Sequence, residues 1–109
     1  MDFSFSENQT MIRDSVRAFA EKELLPKYQY WDRSGEFLTP EFVQKIVDMG
    51  LLKLRLPEKY GGQGYSFVDC GIVCEEIGRC DPQVRYLVSS AVHIGEMAAE
   101  MHPELQEEW

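Results

Sequence analysis

Apolar residues recur at α-helical spacing in the first third of the chain and again after residue 39. The first helix is predicted to begin at Ser6, because Gln9 lies three residues later as a capping-box partner. Pro26 lacks a backbone donor and is expected to end or kink this helix. The Asp-Arg-Ser-Gly sequence at 32–35 then indicates a turn. The apolar positions of this first helix are Ile12, Val16, Phe19 and Ala20.

A second helix is predicted between Thr39 and Gly50. Thr39 is a good N-cap, Pro40 is favoured at the first helical position, and Gly50 is suited to a left-handed C-terminal cap. Leucine and basic residues alternate over 52–56, a period of two that indicates a short extended segment. Because a single extended segment has no partner strand, we interpret it as a connector rather than as part of a sheet.

Three further helix starts follow in the second half of the chain. Ser66 with Asp69 is predicted to cap the third helix, Asp81-Pro82 to start the fourth, and Pro103 to start the fifth. The pattern therefore predicts an all-α domain over residues 1–109. The predicted third helix carries Val68, Ile72, Val73 and Ile77.

The charge excludes some partners. The 109 residues carry a formal net charge of −8, so the phosphates of nucleic acids and anionic membrane surfaces would be repelled. Acidic residues without Lys or Arg follow Glu96, which we interpret as a solvated helical face. No apolar run approaches the roughly 20 residues of a membrane span, and the first residues do not resemble a signal or transit sequence. A cytoplasmic protein is expected.

The three cysteines have two interpretations. Cys70 and Cys74 are four residues apart and share a helix face, and Cys80 follows them. A metal site would need further ligands from His93 or His102, so we favour small buried thiols in a reducing compartment and predict no metal.

A glycine-dense loop at 56–64 lies between two helical stretches, and the Glu-Glu-Ile-Gly-Arg-Cys-Asp sequence at 75–81 follows it. Three glycines in four positions favour positive φ angles and close backbone approach. A phosphate cradle would need a Lys after the glycines and a helix starting at once, whereas Tyr65 and Ser66 follow. A loop that shapes a neighbouring site is therefore favoured.

The order of these motifs resembles the N-terminal helical domain of the acyl-CoA dehydrogenases. In that family, a Pro-Glu-x-Tyr-Gly-Gly-x-Gly loop follows Gly-Leu-Leu and precedes Glu-Glu-Ile/Leu-x-Arg-x-Asp; here these motifs occupy 57–64, 50–52 and 75–81. The resemblance implies an up-and-down helical bundle that forms a wall of the acyl pocket of an FAD-dependent oxidoreductase, which oxidises the Cα–Cβ bond of an acyl-CoA thioester.

The same resemblance implies that the chemistry lies elsewhere in such an enzyme. The catalytic base and most of the flavin contacts belong to later domains of the family, so no catalytic or cofactor-binding residue is assigned here, and Glu75 and Glu76 are interpreted as helix-surface residues. The implied partners of a complete enzyme are its acyl-CoA substrate, its remaining domains, a homotetramer and an electron-transfer flavoprotein. A flavin oxidase or monooxygenase of the same fold is one alternative, and a stand-alone helical interaction module is another.

The predicted fourth helix carries the candidate substrate-binding residues. Arg85 and Ser89 form an i,i+4 pair, and their spacing from Asp81 matches residues that grip the distal carboxylate of the substrate in glutaryl-CoA dehydrogenases. A guanidinium offers a rigid fork of donors to a carboxylate. Tyr86 either lines the same pocket or fills the core, and the core is favoured; His93 is assigned a structural role.

The chain ends on Trp109, an apolar aromatic at the tip of a newly started acidic helix. In the family this segment continues into a β-domain and a second helical domain. We therefore expect the sequence to be the truncated N-terminal part of a longer protein.

Overall fold

A computed structural model describes residues 4–34, 39–100 and 104. The described residues form helices and loops without strands, which confirms the all-α fold class. The helices are α1 (Glu7–Phe19), α2 (Tyr28–Ser34), α3 (Pro40–Asp48), α4 (Phe67–Cys80) and α5 (Pro82–Glu100), with a π-helical turn at Ala20–Leu24 and a 3₁₀ turn at Glu58–Tyr60.

The predicted helix starts that lie within the described residues are confirmed by their side-chain caps. The hydroxyls of Ser6 and Ser66 each accept a hydrogen bond from the backbone N–H three residues later, and each cap is closed in return by the side chain of that residue. Thr39 Oγ1 accepts from Phe42 N in the same way. The predicted helix at Pro103 and the terminal Trp109 lie outside the described residues.

Helix α1 continues directly into the wider π-helical turn. Leu25 N donates to Ala20 O, five residues back, which is the hydrogen bond of a π turn. Ala20 and Leu24 are both fully buried there. A short turn containing Pro26 follows the wide turn, as the proline predicted.

The turn predicted at 32–35 is wrong for its described part, because helix α2 continues to Ser34. Trp31 explains why the helix persists: its side chain is buried, and its ring meets that of Phe42 edge-on, with centroids 4.9 Å apart. Tertiary packing of this aromatic pair outweighs the local turn preference of Asp, Arg and Ser.

Helix α3 ends at Asp48, and Gly50 two residues later has a φ of +73°, which confirms the predicted left-handed cap. The connector after it contains no strand, as predicted, but its backbone does have a partner. Lys53 O accepts from Gln63 N at 2.9 Å, and Leu54 O accepts from Tyr65 N at 2.8 Å. The end of the glycine loop therefore folds back along the connector.

Helix α4 lies at the centre of the bundle, in contact with α1 and α5. Three side-chain contacts join α1 and the π turn after it to α4 at nearly constant sequence offsets of 60, 59 and 58, so α1 and α4 run parallel. Only Asp81 separates α4 from α5, which returns along α4 in the opposite direction. Val73, Ile77, Val84 and Val88 are fully buried between these helices. Val68, by contrast, is 60% exposed in the first turn of α4.

Candidate functional site

The start of α5 is fixed by a buried carboxylate. Asp81 is 1% exposed, and its Oδ1 accepts from Gln83 N at 2.9 Å and from Val84 N at 3.3 Å. Pro82 contributes no N–H at the first helical position, so the Asp81 carboxylate accepts from the next two backbone N–H groups. This arrangement sets the rotation of α5, and with it the direction of Arg85 one turn later.

Arg85 lies along the groove between α4 and α5. A Cβ atom placed on Gly78 of α4 would lie 3.1 Å from Arg85 Cγ, so the aliphatic part of the arginine packs directly on the glycine. The guanidinium extends to Ser89, with Nη1 3.5 Å from Ser89 Oγ. The predicted i,i+4 pair is therefore brought together.

Ser89 already uses its hydroxyl proton. Its Oγ donates to the carbonyl oxygen of Tyr86 at 3.1 Å, so the side of the oxygen that faces Arg85 carries a lone pair. Ser89 accordingly acts as an acceptor that orients the guanidinium. It would have to release the Tyr86 carbonyl to donate to a ligand.

Arg85 differs from most other arginines in its ion pairing. Arg13, Arg17, Arg55 and Arg79 each lie within ion-pair distance of a carboxylate. No such contact joins Arg85 to any carboxylate in the described part of the chain, although the residue is half-buried. A half-buried guanidinium without a counter-ion retains unused donors and can bind an anion.

The charge of Arg85 affects the pKa of Cys74, a thiol across the groove. Burial raises the pKa of Cys74, and the positive charge of Arg85 opposes that rise. Cys74 is half-buried, whereas Cys70 and Cys80 are buried, and burial raises the pKa of Cys70 to about 11. The interpretation of the cysteines as buried small residues is confirmed for Cys70 and Cys80.

Tyr86 does not fill the core. Its side chain is 68% exposed, so the core interpretation is wrong for this residue. The physical reason is its position one residue beyond Arg85, which rotates it about 100° further around α5 and away from α4. Ile94 and Met97 on the same helix are also about two-thirds exposed, and His93 is exposed.

The glycine loop has the backbone that its sequence predicts. Gly61 has a φ of +82° and closes the 3₁₀ turn, and a Cβ on Gly62 would lie 1.9 Å from the carbonyl oxygen of Leu56. No other residue fits so close to a backbone carbonyl. The loop is therefore tightly specified by its own backbone.

Arg55 joins this loop to α5. Its guanidinium pairs with Glu96, its Nη1 donates to Tyr65 O at 2.7 Å, and its Cζ lies 4.3 Å from the centre of the Phe67 ring. Glu96 is thus a half-buried ion-pair partner rather than a fully solvated acid. Because Arg85 and Glu96 are eleven residues apart on α5, the loop attaches roughly 16 Å from the Arg85 groove. The structure does not bring the two features together.

Glu76 corrects another prediction. It is only 5% exposed, whereas Glu75 is exposed as predicted. Its two carboxylate oxygens accept from Arg17 Nη2 at 2.8 Å and Nε at 3.0 Å, and these hydrogen bonds lower the pKa of Glu76. Its partner on α1 is 59 residues away in sequence, so no local signal could have revealed the pair.

A cavity of about 220 Å³ opens between α1, the connector and the end of the glycine loop. This cavity was not predicted from the sequence, because its walls come from four separate segments of the chain. Its lining is mixed, with apolar side chains beside two amides, a serine hydroxyl and a tyrosine. The lining residues are Asn8, Met11, Ile12, Ser15, Val16, Met49, Leu51, Leu54, Gln63, Tyr65 and Val73.

Comparison with known proteins gives the family of this bundle. The family model described as "Acyl-CoA dehydrogenase, N-terminal domain" matches residues 6–109. The chain belongs to the acyl-CoA dehydrogenase N-terminal domain family. The family identification made from the glycine loop and the motif at 75–81 is therefore confirmed.

Several curated members of the acyl-CoA dehydrogenase family are similar to this chain. The probable acyl-CoA dehydrogenase YngJ of Bacillus subtilis is 33% identical over 95 residues, which are 87% of this chain and 25% of the relative. Glutaryl-CoA dehydrogenase of Desulfococcus multivorans is 32% identical over 94 residues (84% and 24%). The mitochondrial short-chain specific acyl-CoA dehydrogenase of Mus musculus is 30% identical over 105 residues (94% and 25%). The chain thus spans about a quarter of the length of these acyl-CoA dehydrogenases.

Two further features of this family member concern metals and membranes. The described residues contain no group of three or more His, Cys, Asp or Glu side chains arranged to hold a metal ion. None of the helices in the described ranges combines the length and the apolar character needed to cross a bilayer.

Proposed function

We propose that this chain forms the N-terminal domain of an FAD-dependent acyl-CoA dehydrogenase whose substrate carries a second carboxylate at the far end of its acyl chain. Family membership supports the dehydrogenase. The carboxylate is supported by one observation, the half-buried Arg85 guanidinium that has no carboxylate partner among the described residues. Residues Arg85 and Ser89 would bind the distal carboxylate, and exposed Tyr86 would line the approach to it.

The chemistry assigned to the residues of this chain is binding. Arg85 would donate two parallel hydrogen bonds to the carboxylate, while Ser89 holds the guanidinium across the groove. Such a contact orients the substrate along α5 and favours dicarboxylic over monocarboxylic acyl groups. No described residue is assigned as the catalytic base.

FAD is proposed for the complete enzyme on the ground of family membership, and not for these residues alone. The cavity of about 220 Å³ is smaller than the roughly 300–1,000 Å³ of pockets that bury drug-sized ligands, and FAD is larger still. When bound, FAD supplies the hydride acceptor for oxidation of the Cα–Cβ bond. A homotetramer and an electron-transfer flavoprotein partner stay predictions of the resemblance, and a cytoplasmic location stays a prediction from the sequence.

The test uses the full-length protein and two acyl-CoA thioesters of equal chain length, glutaryl-CoA and pentanoyl-CoA. We expect Arg85→Ala to lower the ratio of their kcat/KM values (glutaryl over pentanoyl) roughly 10- to 150-fold, the effect of losing a charge-assisted hydrogen bond. Arg33→Ala, which removes an exposed arginine on α2, is the matched control and leaves the ratio unchanged.

Three outcomes would change the proposal in different ways. An equal effect of Arg85→Ala on both thioesters would reject the distal carboxylate but not the dehydrogenase. Rapid reoxidation of the reduced protein by oxygen would indicate the flavin oxidase. A colourless full-length protein that oxidises no acyl-CoA would reject the enzyme and favour the interaction module.

A further inference from the structure

The contact beneath Arg85 is unusually close and is made by a residue without a side chain. A Cβ placed on Gly78 would lie 3.1 Å from Arg85 Cγ, 3.5 Å from its Cβ and 3.9 Å from its Cδ. The first of these distances is shorter than an ordinary van der Waals contact. It involves the base of the arginine side chain, so relief would require rotation near its root.

A second glycine in the same helix lacks such a contact. A Cβ on Gly71 would meet no atom within 4 Å, although Gly71 also lies inside α4. Glycine destabilises a helix interior relative to alanine, so each of these glycines weakens α4. Of these two glycines, only Gly78 closely contacts a neighbouring side chain in the described structure, and that contact is with the stem of Arg85.

We propose that Gly78 is a positioning residue that determines selectivity for an acyl-CoA with a distal carboxylate. Its bare backbone lets the Arg85 stem lie against α4, which carries the guanidinium along the groove to Ser89. The inference rests on the proposed binding of the substrate carboxylate by Arg85. It adds that α4 guides the Arg85 side chain as well, after the Asp81 cap has fixed the rotation of α5.

A methyl group at position 78 is expected to rotate Arg85 away from α4 and to separate the guanidinium from Ser89. The arginine then keeps its charge but loses its direction. An off-rotamer side chain or a displaced donor weakens binding without removing it, so the loss is smaller than that caused by truncation of Arg85.

The first experiment measures selectivity in the full-length protein with glutaryl-CoA and pentanoyl-CoA. We expect Gly78→Ala to lower the kcat/KM ratio of the two thioesters about 3- to 10-fold, mainly through KM for glutaryl-CoA. Gly71→Ala, the control in the same helix, leaves the ratio unchanged. A ratio that stays unchanged in Gly78→Ala while it falls in Arg85→Ala would overturn the role of Gly78 and leave the proposed function standing.

The second experiment does not depend on any ligand. Gly71→Ala is expected to raise the melting temperature of the full-length protein by roughly 1–3 °C through helix propensity. Gly78→Ala is expected to give no such rise with Arg85 present, but to give it in the Arg85→Ala background, where the stem is gone. Equal rises for both glycine variants in the presence of Arg85 would show that position 78 has room for a methyl group, and would overturn the inference.

Discussion

Two arginines lie near opposite ends of helix α5, Arg85 within the helix and Arg55 packed against it, and their surroundings differ sharply. Arg55 pairs with Glu96, donates to the carbonyl oxygen of Tyr65 and stacks on Phe67. The polar contact of Arg85 in the described structure is a single long hydrogen bond to Ser89 Oγ. Both side chains are half-buried, so exposure does not explain the difference.

The comparison separates a structural guanidinium from one that is available to a ligand. Each of the three guanidinium nitrogens of Arg55 donates to a group of the same chain, which joins the connector, the glycine loop and α5. Arg85 has donors left over at a place where the helix on which it lies presents an exposed tyrosine and no acid. Loss of Arg55 should therefore weaken the fold, and loss of Arg85 should weaken binding.

The largest effect on stability is expected for Arg55→Ala. Three charge-assisted hydrogen bonds and a cation–π contact are lost, and Glu96 remains half-buried, so the free energy of unfolding falls by about 2–3 kcal/mol. Arg85→Ala is expected to change it by less than about 0.5 kcal/mol, as for a residue without an ion-pair partner. Thermal unfolding of the full-length variants measures both. Equal destabilisation by the two substitutions would remove the distinction.

Glu76→Gln tests a third kind of pairing, in which the carboxylate is buried and its arginine is largely exposed. The substitution keeps the shape but removes the charge, and we expect a loss of about 1–2 kcal/mol, reduced by the solvent around Arg17. Glu75→Gln, at the exposed neighbouring position, is the control and has little effect. A similar loss in both variants would mean that the charge matters through the helix rather than through Arg17.

The contribution of Glu76 also depends on pH. Hydrogen bonds from Arg17 lower its pKa in the folded state, so its stabilisation is complete above the unfolded value of about 4.3 and is lost as the pH falls through the folded value. The difference in melting temperature between the wild-type protein and Glu76→Gln should therefore shrink below about pH 4. A difference that stays constant down to pH 3 would contradict the ion pair.

A smaller effect is expected for Ser89→Ala. Arg85 loses one long, weak acceptor, while its charge and stem remain, so the glutaryl-to-pentanoyl kcat/KM ratio falls only about 2- to 4-fold. Ser90→Ala is the neighbouring control. If Ser89→Ala matched Arg85→Ala in magnitude, Ser89 would bind the carboxylate itself rather than orient the guanidinium.

The smallest effect should appear at Cys74. The positive charge of Arg85 opposes the rise in the pKa of this thiol, so its removal leaves a smaller thiolate fraction at a given pH. Alkylation of Cys74 by iodoacetamide, followed by peptide mass spectrometry, should be slower in Arg85→Met than in Arg85→Lys, which keeps the charge. Equal rates would place the guanidinium out of electrostatic reach of the thiol.

Features that depend on near neighbours in the chain were predictable from the sequence. The caps at Ser6, Thr39 and Ser66 and the Arg85–Ser89 pair follow from residues three or four positions apart, and the left-handed Gly50 follows from the glycine itself. A helix brings such residues together whatever the tertiary fold, so local reasoning succeeded there.

Features that depend on packing were missed or wrong. Glu76 meets Arg17 across two helices, Trp31 keeps α2 helical through its contact with Phe42, and Gly78 matters only because α5 lays Arg85 across it. The prediction that Tyr86 fills the core was wrong for a related reason. Periodicity gives a helix its faces but does not say which of them a neighbouring helix covers.

The wide turn at Ala20–Leu24 changes which residues of the helical segment face the interior. Because the turn holds one extra residue, the same segment places Arg17 beside the buried Glu76 carboxylate before the turn and Leu24 in the interior after it. Deleting a single residue there would hardly alter the composition, yet it would rotate one half of the segment by about 100° against the other. The number of residues in this segment is consequently constrained, in addition to the identity of the buried Ala20 and Leu24.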